Sequence, residues 1–151
     1  MIQSITDPAL REILARQVLS RLPDWFGIPE AVEAYCTGVR ETPFWAETDG
    51  DILRGFIALL ETSPAAAEIH VMGVLPEYHR QGVGTALYRA LEAEARDRGY
   101  SFLHVRTVAP GCYAAYDRTN AFYTAMGFTP LTVLPTVWDE KNPCQIYVKR
   151  L

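Results

Sequence analysis

The stretch Glu68–Gly99 constrains this chain most. An apolar strand, EIHVMGVL, runs through Pro76 into His79-Arg80-Gln81-Gly82-Val83-Gly84, and the glycines open directly into a long amphipathic helix. Strand, glycine turn and helix N-terminus in that order make an anion site. The first N–H groups of a helix have no intrahelical acceptor, and the aligned peptide dipoles make that end positive. Glycine lets a ligand approach the backbone where a Cβ would collide. The helix carries Val83, Leu87, Leu91 and Ala95 at spacing four, with Ala86 and Ala90 beside them, so one stripe faces a core. Arg96 and Arg98 suit its C-terminus, and Gly99 suits the position after it.

The remaining elements follow in order. Residues 2–5 read as a short strand. Asp7-Pro8 reads as helix cap and first helical residue, and Leu10, Ile13, Leu14, Val18 and Leu22 extend a helix over 8–22. Pro29 starts a second helix to about Val39. Phe44–Thr48 and Ile52–Glu61 form a hairpin around Asp49-Gly50-Asp51. Residues 62–67 read as a turn and Glu68–Leu75 as the next strand. Ser101–Val108 is a strand ended by Pro110-Gly111. Asp117 or Thr119 caps a short helix that Gly127 stops. Phe128–Leu134 and Gln145–Val148 are the last strands, with a loop holding Pro135, Trp138, Asp139 and Pro143 between them. The order β-α-α-β-β-β-α-β-α-β-β predicts an α/β or α+β fold, one mixed sheet covered by helices on both faces. The hairpin at 44–61 breaks the strict alternation of a doubly wound sheet.

At 151 residues the chain is read as one domain, 1–151. A net charge of −4 argues against a nucleic-acid partner. No apolar run approaches the roughly 20 residues of a membrane span, so no membrane partner is expected. MIQSITDPAL lacks the pattern of a signal peptide. Three scattered cysteines with no CxxC pair predict neither a disulfide frame nor a zinc site, and point to a reducing cytoplasm. Three phosphate ligands fit a glycine turn. A P-loop requires GxxxxGK[ST], which is absent. A dinucleotide fingerprint requires a third glycine where Leu87 stands. An acyl-CoA pyrophosphate on the amides from Arg80 to Thr85 requires neither.

VLPEYHRQGVGTALYRALEAEARDRGY resembles motif A of the GNAT superfamily of N-acetyltransferases, [Q/R]xxGx[G/A], with Gly82 and Gly84 at its small positions. His79 stands where Gln or Arg is usual. AFYTAMGF, 121–128, resembles motif B. Together the motifs span about residues 50–135. The resemblance implies a mixed, mostly antiparallel sheet whose two parallel strands splay apart at the acetyl-CoA site. It implies backbone contacts to pantetheine from Met72, Gly73 and Val74. The turn His79, Arg80, Gln81, Gly82, Val83, Gly84 and Thr85 would then hold the pyrophosphate. Gly73 in mid-strand suits a bulge, a close backbone approach or simple packing.

Acetyl transfer to an amine needs a base for the amine and an acid for the departing thiolate. By resemblance Glu68 is the candidate base; otherwise it is a strand-end glutamate in solvent. His70, two residues on, shares its strand face and is the alternative base or relay. Glu68 and His70 lack the further ligands a metal needs. Tyr123 matches the motif B tyrosine that looks like the general acid; otherwise it is a core aromatic. An Asn that many members carry seven residues earlier is Tyr116 here, and Asn120 is out of register. Cys112 has no visible activator. Trp25, Phe26 and Tyr35 are candidates for a substrate wall, or pack two helices on the sheet. The expected activity is acetyl-CoA-dependent N-acetylation of a small-molecule amine by direct transfer. A protein or peptide Nα or Nε acetyltransferase and a non-catalytic acyl-CoA sensor are the alternatives. A homodimer is left open.

Overall fold

Asp7 caps the first helix as its sequence predicts, its carboxylate accepting from Ala9 N at 2.9 Å with Pro8 at the first helical position. The computed structural model describes Met1–Leu151. Its strands are β1 (Ile2–Ser4), β2 (Phe44–Asp49), β3 (Ile52–Ser63), β4 (Ala66–Val74), β5 (Phe102–Val108), β6 (Thr129–Asp139) and β7 (Asn142–Arg150). Its α-helices are α1 (Pro8–Leu19), α2 (Pro29–Gly38), α3 (Val83–Asp97) and α4 (Ala114–Ala125). The seven strands lie in the order β1-β2-β3-β4-β5-β7-β6. β4 and β5 are parallel, whereas β1/β2, β2/β3, β5/β7 and β6/β7 are antiparallel. This is the mixed, mostly antiparallel sheet expected.

The chain divides into two compact units, Met1–Leu60 with His70–Arg98 and Glu61–Ile69 with Gly99–Leu151. In the first, α1 ends at Leu19 rather than at residue 22. Arg21 N and Leu22 N bond back only three residues, to Val18 O and Leu19 O, and Pro23 cannot extend the helix. Alternation along β3 sends Phe56 and Ala58 to the cluster that holds Val18, Leu19 and Leu22 of α1. The opposite face meets α3: a Cβ built on Gly55 would lie 3.2 Å from Leu87 Cδ1. Helices thus cover both faces of β3. The predicted stripe of α3 is buried at Val83, Leu87, Leu91 and Ala95.

In the second unit three boundaries differ from expectation. Residues 62–67 are not a six-residue turn. β3 runs to Ser63 and β4 begins at Ala66, with only Pro64-Ala65 turning between them. Helix α4 starts at Ala114, ahead of Asp117. The Asp117 carboxylate accepts from Gly111 N at 2.7 Å, so it ties down the preceding loop instead of capping. The expected loop around Pro135 is strand, because β6 and β7 form one long hairpin closed at Glu140-Lys141. Pro135 is tolerated there because the register shifts between Leu134 and Asp139, where no ladder donor is needed.

Candidate functional site

The glycine turn is built within the first unit. After β4 a single 3₁₀ turn, Pro76–Tyr78, leads to His79. The His79 ring lies with Nε2 2.7 Å from Val74 O, and Trp25 meets it edge-on with centroids 5.8 Å apart. His79 therefore fastens the turn to the end of β4, and its side chain is committed to protein. Arg80 takes a φ of 62°, rare for a residue with a Cβ. Gly82, at φ 80°, is the cap of α3 and has no side chain to accept from the helix. No acid stands in the first turn of α3. Gln81 and Gly82 are exposed, and Gly84 and Thr85 half-buried. Glu77 is the acid nearest in sequence. Its own backbone N–H and Arg21, at 2.7 Å, hold its carboxyl below the usual range. A helix N-terminus without a side-chain cap or acid, behind a backbone locked in two left-handed residues, suits a multivalent anion.

Met72, Gly73 and Val74 close β4 ahead of this turn. A Cβ on Gly73 would lie 2.9 Å from both Leu22 Cδ1 and Val18 Cγ1. Of the readings open for Gly73, packing against α1 accounts for its missing side chain. The residues from the aromatic first third meet the site's histidines. The Tyr35 ring meets His70 edge-on at 5.5 Å, and Phe26 meets Tyr35 at 6.0 Å. A Cβ on Gly38 would stand 3.1 Å from His70 Nε2, so the end of α2 also fits against this ring. Trp25, Phe26 and Tyr35 are half-buried and pack on the α1 core as well.

The second unit holds Glu68 and Tyr123. Glu68 is buried, not a glutamate in solvent. Its Oε1 lies 3.4 Å from Arg106 Nε, and it pairs in register with His104. The parallel ladder comprises Ala66–Glu68 against Phe102–His104, and Glu68 is its last residue on β4. His104 Nε2 lies 2.7 Å from Thr62 Oγ1. Burial pushes the His104 pKa down, against the attraction of Glu68 and with the repulsion of Arg106, so the ring is neutral at pH 7. Sequence reasoning missed Arg106 and His104. The available signal was the alternation of FLHVRTV, which puts both on one face of β5.

Tyr123 lies buried on α4 with ring contacts to Phe122, Phe128 and Tyr147 at 5.6, 5.8 and 6.0 Å. Asn120 is fully employed: Nδ2 donates to Val108 O at 2.9 Å and Tyr116 O at 2.7 Å, and Oδ1 accepts from Tyr147 OH at 2.6 Å. It latches α4 to β5 and β7. All three cysteines are free, and burial pushes the thiols of Cys36 and Cys144 up. No group of three or more His, Cys, Asp or Glu is arranged to hold a metal. No helix is long and apolar enough to cross a membrane.

Comparison with known proteins bears on the family and the fold. The model of the acetyltransferase (GNAT) family matches residues 8–128. An uncharacterized N-acetyltransferase of Escherichia coli (strain K12), YedL, is 27% identical over 127 residues, covering 82% of this chain and 77% of the relative. The crystal structure of an aminoglycoside 6'-N-acetyltransferase complexed with coenzyme A superposes with a TM-score of 0.78 at 19% identity, over 99% of this chain and 96% of that one. The ribosomal-protein-S18-alanine N-acetyltransferase of Escherichia coli superposes with a TM-score of 0.78 at 21% identity, over 99% and 92%. At these identities the two structures speak for the fold. Their acceptors are of different classes.

Proposed function

Because this chain belongs to the GNAT family of acetyltransferases, we propose that it is an acetyl-CoA-dependent N-acetyltransferase, working as one domain on a small-molecule amine. The observation that carries the reading is the turn from Arg80 to Thr85. Its left-handed residues and uncapped helix start suit a pyrophosphate. Backbone groups of His79, Arg80, Gln81, Gly82, Val83, Gly84 and Thr85 would take the phosphates, and those of Met72, Gly73 and Val74 the pantetheine amides. The CoA-bound relative supports the same ligand. Acetyl-CoA supplies an activated thioester.

Direct transfer makes a C–N bond to the amine and breaks the C–S bond. The amine loses a proton and the sulfur gains one. Glu68 or His70 takes the first proton, and the Tyr123 hydroxyl gives the second. Arg106 Nε, 3.4 Å from Glu68 Oε1, helps to hold that carboxylate in place. The neutral His104 opposite adds no positive charge to that pair. The half-buried aromatics Trp25, Phe26 and Tyr35 would wall the acceptor pocket.

Amine-stimulated release of CoA thiol across a panel of amines tests the activity. Tight CoA binding without any such release identifies a sensor instead, and release only with peptides identifies a protein acetyltransferase. Tyr123→Phe should lower kcat by roughly ten-fold or more with acetyl-CoA affinity unchanged. Turnover at the wild-type rate would reassign Tyr123 to packing alone. Glu68→Gln should remove the limb of the pH–rate profile that belongs to the base. An unaltered profile assigns that role to His70 or to water.

A further inference from the structure

We propose that Arg106 selects the acceptor. Its guanidinium binds a carboxylate on the molecule whose amine is acetylated, so that molecule carries amine and carboxylate a few bonds apart, as an amino acid does. The inference rests on the acetyltransferase reading above and names its substrate class.

Alternation sets the place. Along β5, Leu103, Val105 and Thr107 are buried, whereas Phe102 and Arg106 are exposed and His104 is half-buried. The buried face is the one that α4 covers, because Val105 pairs with Tyr147, and Tyr147 meets Tyr123 and Asn120 of that helix. α4 is the only α-helix of this unit, so the face with His104 and Arg106 has no helix of its own unit on it. Glu68 stands opposite His104 in the ladder, within reach of Arg106.

The guanidinium is the second observation. An arginine that closes a salt bridge can use both prongs, and this protein shows it: Arg54 Nε and Nη2 lie 2.6 and 2.5 Å from the two oxygens of Glu47. Arg106 touches Glu68 through Nε alone, at 3.4 Å, and neither of its terminal nitrogens bonds to the protein. Its side chain is 48% exposed, against 22% for Arg54. A planar fork left open beside a candidate base fits a carboxylate.

Charge narrows the acceptor. Glu68 and Arg106 set a negative and a positive group side by side. A molecule with both an amine and a carboxylate answers both, whereas an amine alone leaves Arg106 as an unanswered cation beside an arriving ammonium. A phosphate calls for more than one cation, and His104 does not supply the second. Thr62 Oγ1 donates to Ala66 O at 3.2 Å, so it accepts from His104 Nε2 at 2.7 Å, and burial keeps that ring neutral. Ile146 and Val148, half-buried on β7, pair with Arg106 and His104 and give the acceptor's carbon skeleton an apolar floor. A peptide N-terminus has spent its α-carboxylate on the peptide bond. During transfer the C–N bond forms, the C–S bond breaks and the amine proton goes to the base; Arg106 holds the carboxylate and exchanges no proton.

The test is release of CoA thiol with a panel of free amino acids, each beside its own carboxamide and its decarboxylated amine. The wild type should use at least one amino acid with a kcat/KM about ten-fold or more above that of its amide. Arg106→Gln should erase that ratio, with the loss falling mainly on KM for the acid. Arg106→Lys should restore part of it, since the charge returns without the fork. Arg106 is exposed, so neither substitution opens a cavity, and circular dichroism checks the fold. Equal losses for acid and amide in Arg106→Gln would mean that Arg106 only positions Glu68, and would overturn the proposal. So would a wild type that prefers amides, peptides or carboxylate-free amines, a result that leaves the acetyltransferase reading standing. No release with any amine removes that reading and this inference together.

Discussion

Gly84→Glu should abolish CoA binding while leaving the protein folded. Gly84 is the second residue of α3, half-buried, in the turn whose N–H groups have no side-chain cap. A carboxylate there stands where the phosphates are proposed to sit. At a few ångströms and an effective dielectric constant of about 20, each pair of like charges opposes binding by about 4 kcal/mol before screening. The loss should be at least about 100-fold in affinity, measured by calorimetry. The folded chain responds in the other direction. An acid in the first turn favours the helix dipole, and replacing glycine inside a helix adds up to about 1 kcal/mol. The variant should therefore melt no lower than the wild type. Unchanged affinity would remove the pyrophosphate from this turn.

Gly55→Ala should cost about 3 kcal/mol, lowering the melting temperature by roughly 10 °C. The added Cβ would lie 2.7 Å from Gly73 O, 3.2 Å from Val74 Cα and 3.2 Å from Leu87 Cδ1. Two of these neighbours are backbone atoms of the adjacent strand. They cannot turn aside as a side chain can, and parting the strands would break bonds such as Leu75 N to Arg54 O at 2.9 Å. Gly50 supplies the contrast. A Cβ there meets nothing within 4 Å, and only its φ of 59° opposes substitution. Gly50→Ala should cost about 1 kcal/mol. A Gly55→Ala protein as stable as Gly50→Ala would mean that β3 and β4 adjust more freely than their spacing allows.

Local signals made much of this fold legible. Asp7-Pro8, the four-residue spacing of α3 and Asp49-Gly50-Asp51 are each decided within a few residues, and the structure follows them. The turn was legible for the same reason, since only glycine adopts the φ of Gly82 without strain. The misreadings involve distant partners. Asp117 looked like a cap until Gly111 claimed its carboxylate. Pro135 looked like a strand breaker until the β6–β7 register placed it in a bulge. Glu68 gave no sign in sequence of the Arg106 and His104 beside it, because a parallel partner is chosen by the crossover and not by nearby residues. The packing of Gly73 likewise depends on a distant element, since a Cβ there would meet Leu22 and Val18 of the α1 region. The roles of Glu68, His70 and Tyr123 rest on resemblance and chemistry, and the kinetic variants address them directly.

Arg80 has one more implication. A residue with a Cβ in the left-handed region stands about 1–2 kcal/mol above its relaxed conformation. That cost is met during folding, when Val74, Trp25 and His79 fix the neighbouring chain. An anion arriving later finds the amides already ordered, so its binding energy is not spent on restricting a loop. On the proposed reading the turn would work as a template and not as a lid. Its association with phosphate should be fast, nearly independent of loop motion, and governed by charge.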